Sequence, residues 1–140
     1  MNTPKSECEG LMNEAIPFAE QMLAKNGEFF PYGQALTTAG TIVAVAAYDG
    51  TEQPPSADLI RLLKQGFTEG ARSGNYKATA LVYDVRVTLP SSGTKSDAIA
   101  VSLNHRDNYS VVVLFAYRIE GGKYVPGEVF AQQGENDVFK

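Results

Sequence analysis

The chain of 140 residues holds one cysteine, one histidine and no tryptophan. A single thiol, Cys8, excludes an intramolecular disulfide and any metal site built from several cysteines, and it fits a reducing compartment. His105 is the only imidazole and lies far from Cys8 in sequence, so the clustered donors of a zinc site are missing. Long apolar runs are missing too. The longest, Ile42–Tyr48, falls far short of the roughly 20 residues that a membrane-spanning helix needs, and Met1–Glu7 lacks the charged-then-apolar layout of a signal peptide. Lys and Arg number 12 against 16 Asp and Glu, a net charge of -4, with no basic stripe to meet nucleic acid or an anionic membrane. These absences lead us to expect a cytoplasmic protein with neither nucleic acid nor membrane as partner.

The motifs of catalysis are equally sparse. Gly66, Gly70 and Gly74 recur at four-residue spacing, but within or just after a helical pattern rather than in the strand-turn-helix setting of a phosphate loop. Close helix packing is the plainer reading of Gly66 and Gly70. His105-Arg106-Asp107-Asn108 has the letters of part of a kinase catalytic loop without the rest of that signature, and reads instead as a polar hairpin tip. Cys8 sits between Glu7 and Glu9, whose charges oppose a thiolate. No Gly-x-Ser-x-Gly elbow occurs. We expect no enzyme activity and no cofactor.

What the sequence does have is period-two alternation. Leu81, Tyr83, Val85, Val87 and Leu89 recur at every second position, as do Ile99, Val101 and Leu103, and then Val111, Val113, Phe115 and Tyr117. Polar turns at Pro90–Ser96 and His105–Asn108 separate these runs. Glu120–Lys123 leads into a last strand, Tyr124–Ala131, where Pro126 predicts an edge position or a bulge. Upstream, Ser6 and Glu9 have capping-box spacing. Leu11, Ala15, Phe18 and Met22 form a helical stripe, in which Pro17 predicts a kink or a later start.

Gln34–Leu36 and Thr41–Tyr48 read as a hairpin turning near Ala39-Gly40. Its second strand is apolar at nearly every position, hence expected to be covered on both faces, central or beneath helices. Ser56, Leu59, Ile60, Leu63 and Phe67 mark a second helix ending near Gly74-Asn75. The fold class is therefore α+β: one domain with a single antiparallel sheet of five to six strands and two principal helices, in the order α-β-β-α-β-β-β-β. Residues 1–5 and 133–140 read as disordered, Val138 and Phe139 being the apolar exceptions. The element order resembles that of the profilin-like and roadblock-like sheet domains, a likeness that carries no function.

Two surfaces are candidates. With turns centred near Gly93 and Asp107, Asp84 falls opposite Ser102, Ser102 opposite Val112, and Arg86 near Ala100 and Leu114. That face mixes small and apolar residues with one Asp84/Arg86 pair. It is either covered by the chain, making the pair structural, or an interface for a protein partner or a second copy, with a substrate pocket as a third reading. His105 falls on the opposite face. The candidate interface is thus Asp84, Arg86, Ser102, Val112 and Leu114. The second candidate is an aromatic hinge, Phe29, Phe30 and Tyr32 with Tyr48, which either lines a small-molecule groove or seals the first helix against the sheet.

At Gly27-Glu28-Phe29-Phe30-Pro31-Tyr32-Gly33-Gln34-Ala35-Leu36, followed by Gly40-Thr41-Ile42-Val43, the chain resembles small uncharacterised bacterial proteins. These open with a helix, a Glu-Phe-x-Pro-Tyr/Phe-Gly hinge and a hairpin, and some are suspected immunity proteins of toxin systems. The resemblance implies a bacterial source and no catalytic residues. The expected function is a non-enzymatic interaction or accessory domain, with a small-ligand sensor built on the hinge as the alternative.

Overall fold

In the computed structural model, which describes residues 3–46 and 56–139, the first helix is opened by Thr3 rather than Ser6. The Thr3 side chain accepts from the Ser6 amide at 3.0 Å, and the Ser6 hydroxyl accepts from the Thr3 amide at 2.9 Å. This reciprocal cap, with Pro4 behind it in the first turn, satisfies donors that a helix start leaves orphaned. Residues 3–5 are therefore cap and first turn, not a disordered lead-in. Helix α1 (Pro4–Asn26) buries Cys8, Leu11, Ala15, Ala19 and Leu23, one residue every three or four. It neither starts late nor stops at Pro17, and it closes on Gly27 in the left-handed conformation.

The strands β1 (Tyr32–Thr37), β2 (Ile42–Val45), β3 (Tyr76–Thr88), β4 (Lys95–His105), β5 (Tyr109–Glu120) and β6 (Lys123–Gln133) form one antiparallel sheet of order β2-β1-β3-β4-β5-β6. With α1 and α2 (Ser56–Arg72) they give the α+β class and the element order that the periodicity predicts. Pro126 lies on an edge strand beside a register shift, as its missing amide requires. The apolar β2 does not take the central, covered place expected of it. It is the opposite edge strand, with Ile42 and Ala44 exposed. An uninterrupted apolar run is also what an edge strand shows when it carries no guarding charge or proline.

Helix α1 packs across one face of the sheet, against β1, β3, β4, β5 and β6. There it covers Ala78, Ala80, Val82, Ile99, Val101 and Leu103. Helix α2 packs on the other face against β1 and β3, burying Leu59, Leu63 and Phe67. Gly33 on β1 is what lets it sit so close, because a Cβ there runs into the tip of the Phe67 ring. Gly70 receives the Tyr76 ring in the same way, whereas Gly66 faces open space, so close packing accounts for only one of the two helical glycines. The segment after β6 is not frayed. Val138 is buried with Leu63, Phe67 and Leu81, and Asp137 bonds Lys64 of α2 at 3.1 Å.

Candidate functional site

The register of the β3-β4 hairpin decides which side chains share a face. The Leu89 amide donates to the Thr94 carbonyl and the Gly93 amide to Leu89, with Gly93 at φ 72°. Only Pro90–Gly93 therefore forms the loop, and Thr88 pairs with Lys95. Asp84 lies opposite Ile99 rather than Ser102, and Arg86 opposite Asp97 rather than Ala100. The β4-β5 register is the expected one, with Ser102 opposite Val112 and Ala100 opposite Leu114. An odd shift on one side of β4 and none on the other moves β3 side chains to the opposite face. The candidate interface is thereby divided. Asp84 and Arg86 belong to the α1 face, together with His105, while Ser102, Val112 and Leu114 belong to the α2 face.

On the α2 face the helix stops short. Ala98, Ala100 and Leu114 are buried, yet every residue packed around them, Tyr83, Val85, Val87, Val112 and Phe130, comes from a strand. Among the described residues no helix lies over this half of the sheet. Its centre carries no charge. A cleft lined by Ile60, Lys64, Tyr83, Ser102, Val112 and Glu135 borders it on the α2 side, and Glu128, bonded to the Ser91 hydroxyl, marks the far end. The far end of the rim is thus acidic, while on the α2 side Glu135 is paired with Lys64 at 3.6 Å. From β3 to β6 across the sheet and from Tyr83 to Val87 along it, with strands about 4.8 Å apart and residues about 3.3 Å apart, the patch spans roughly 200 Å². Tyr83, Val85, Val87 and Phe130 are not in the interface expected from the sequence. Their signal was present in the alternation, but the hairpin register hid which face it described.

Asp84 and Arg86 do not pair with each other. Arg86 reaches Asp97 at 3.4 Å in an exposed contact worth little by itself. Asp84 accepts from the Tyr117 hydroxyl at 2.8 Å, while burial and then the nearby Asp97 raise its carboxyl above the ordinary value. Tyr117 stacks on Tyr124 with ring centroids 5.6 Å apart, and both pack in the cluster that α1 covers.

The aromatic hinge packs against the first helix. Phe29 is buried and Phe30 is 47% exposed, so the two do not face one cavity. Tyr48 lies outside the described residues. The Tyr32 hydroxyl enters α1, accepting from the Ala19 amide at 3.1 Å and donating to the Ala15 carbonyl at 2.5 Å. Those two groups are i and i+4 partners in an unbroken helix, and Pro17 between them is where the ladder is weakest. Burial pushes the Tyr32 phenol up to about 12. Replacing Tyr32 by Phe keeps the ring contacts with Phe18 and Phe29 and is expected to cost about 1–2 kcal/mol. A lowered denaturant midpoint at unchanged slope is the readout, and an unchanged midpoint would dissociate the hydroxyl from the helix.

A polar cluster ties the start of α1 to the sheet. Glu7 bonds Lys77 at 2.6 Å and His105 Nε2 at 2.9 Å. The Asp107 amide donates to His105 Nδ1 at 3.0 Å, so that nitrogen is an acceptor and Nε2 carries the proton given to Glu7. Lys77, ahead of His105, holds the Glu7 carboxyl below its ordinary value. Next to it, burial pushes the Cys8 thiol up to about 12, with Glu7 and Glu9 adding to the effect. Such a thiol is a poor nucleophile. His105 itself is 1% exposed and shapes the hairpin turn, as its sequence context suggests. Among the described residues no three His, Cys, Asp or Glu side chains converge as metal ligands, and no helix is long and apolar enough to cross a membrane. Comparison of the chain with protein-family models, with curated proteins and with solved structures returned no match.

Proposed function

We propose that this chain is a non-enzymatic protein-interaction domain that receives an amphipathic helix of a partner protein on the open half of its α2 face. The observation behind this reading is the apolar cluster Ala98, Ala100 and Leu114, ringed by Tyr83, Val85, Val87, Val112 and Phe130 with no helix above it among the described residues. Helices on one sheet face pack about 10 Å apart, close to the width of two strands, so a helix laid beside α2 falls over β4 and β5. Ala98 and Ala100 are already covered, so the incoming helix rests on the half-buried Tyr83, Val85, Val87, Val112 and Phe130, and Glu128 at the far end favours a basic flank there. A patch of roughly 200 Å² is about a quarter of what a stable complex buries on each side, so the association is weak and transient. An immunity-like role in a bacterial cytoplasm is one form such an interaction takes.

The test is a titration of isotope-labelled protein with a leucine/lysine amphipathic peptide of about 14 residues, long enough for four helical turns. Amide shifts are expected at Val85, Ala100, Val112, Leu114 and Phe130, and none at Arg86. Val112→Lys and Phe130→Lys should each abolish them, while Arg86→Glu, on the other face, should leave them unchanged. Shifts elsewhere, or shifts that survive both lysines, overturn the proposal.

A further inference from the structure

The two edges of the sheet are built differently. Edge β6 carries Lys123, Pro126 and Glu128, and its register shift beside Gly127 bends the ladder, the usual devices that stop a sheet from growing. Edge β2, Ile42-Val43-Ala44-Val45, has none of them. It contains no charge, no proline and no bulge, and its pairing with β1 is regular from Gly33↔Val45 to Leu36↔Ile42.

Its hydrogen-bonding groups can be assigned. The Thr37 amide donates to the Thr41 carbonyl at 2.8 Å, in register with the β1-β2 ladder. Antiparallel pairs alternate between bonded and non-bonded, so Val43 and Val45 turn their amides toward β1 while Ile42 and Ala44 turn theirs outward. The N–H and C=O of these two residues, four groups in all, meet no strand among the described residues.

We propose that β2 pairs antiparallel with β2 of a second copy, joining two six-stranded sheets into one. A two-fold axis through Val43 sets Ile42 opposite the partner's Ala44 and Ala44 opposite the partner's Ile42. That register uses all four outward groups at once. A two-fold through Val43 brings each β2 side chain within about two residues of its own copy, so a charge there would lie diagonal to a like charge, and β2 has none. The pairing also explains why a strand at the edge of the monomer has the composition of a central one. The contact is small and separate from the open α2 face, which gives a weak, concentration-dependent dimer.

The experiment is sedimentation or light scattering from about 1 μM to about 1 mM, the range in which so small an interface associates. It is paired with amide exchange at both ends of the series. Wild type is expected to move from monomer toward dimer, with the Ile42 and Ala44 amides becoming protected only at high concentration. The Val43 and Val45 amides should be protected throughout. Ala44→Pro removes an outward amide without taking a bond from β1, and Ala44→Lys places two charges near the axis. Both variants should remain monomeric at every concentration, and should either fold poorly, the other carries the test. Monomeric wild type at the highest concentration overturns the proposal. So does a dimer that survives both substitutions, or one lost with Val112→Lys but not with Ala44→Lys, which would belong to the α2 face instead.

Discussion

Phe67→Ala is expected to remove about 3–5 kcal/mol of stability, a large share of the roughly 5–15 kcal/mol that a domain of this kind has. The ring is fully buried and is the point where α2 meets the sheet, touching Leu63, Leu81 and Val138 as well as the bare backbone of Gly33. Alanine leaves a void that β1 cannot close, because β1 is held on both sides by β2 and β3. In a thermal melt the loss should be about 10–15 °C. Gly33→Ala tests the same contact from the other side. Its Cβ meets the Phe67 ring tip and lies 3.0 Å from the Ala80 carbonyl oxygen, so it is destabilising in the native background. Phe67→Leu shortens the side chain, and in that background the cost of Gly33→Ala should shrink. Strictly additive losses would mean that the two residues do not share the contact.

Glu7→Gln should cost about 2–3 kcal/mol, less than the loss on breaking a wholly buried pair because Lys77 keeps some access to water. Glutamine can still accept one hydrogen bond, but it leaves the Lys77 ammonium without a counter-charge. The loss should depend on pH with a fixed sign. The Glu7 carboxyl is held below its ordinary value of 4.5, first by the Lys77 bond. Its stabilisation is therefore complete above that value and disappears as pH falls through the lower folded one. Denaturant melts should show wild type and Glu7→Gln furthest apart near neutrality and converging in acid. A constant gap down to strong acid would mean that the carboxyl is not shifted by folding.

The fold was readable because it rests on long, repeated signals. Strict alternation across β3, β4 and β5 survives uncertainty about where any strand begins, and the stripe Leu59, Leu63, Phe67 admits one reading. The binding face was harder because it depends on counting. Reading Pro90–Ser96 as one polar loop, instead of the four-residue turn Pro90–Gly93, displaced the hairpin by an odd number of residues and put Asp84 and Arg86 on the wrong side. Glycine at 93, the left-handed last position of the turn, was the signal that marks the shorter loop. Ser102, Val112 and Leu114 kept their place because the β4-β5 turn, with Asn108 at φ 65°, was counted correctly. The misplacement of β2 had another cause. Hydrophobicity reports that a strand avoids water without saying whether the same chain provides the cover. The Glu7-His105 contact spans 98 positions and follows no local pattern, so nothing in the sequence announced it.

That separation also bears on the order in which a ribosome makes the parts. Helix α1 is translated well before the strands β3, β4 and β5 whose face it covers. At about 5–20 residues per second, Glu7 waits roughly 5–20 s before His105 exists. Until β3 is made, β1 is the only strand on which the apolar stripe of α1 can lean. The cap at Thr3, which needs nothing beyond the first turn, is in place from the beginning.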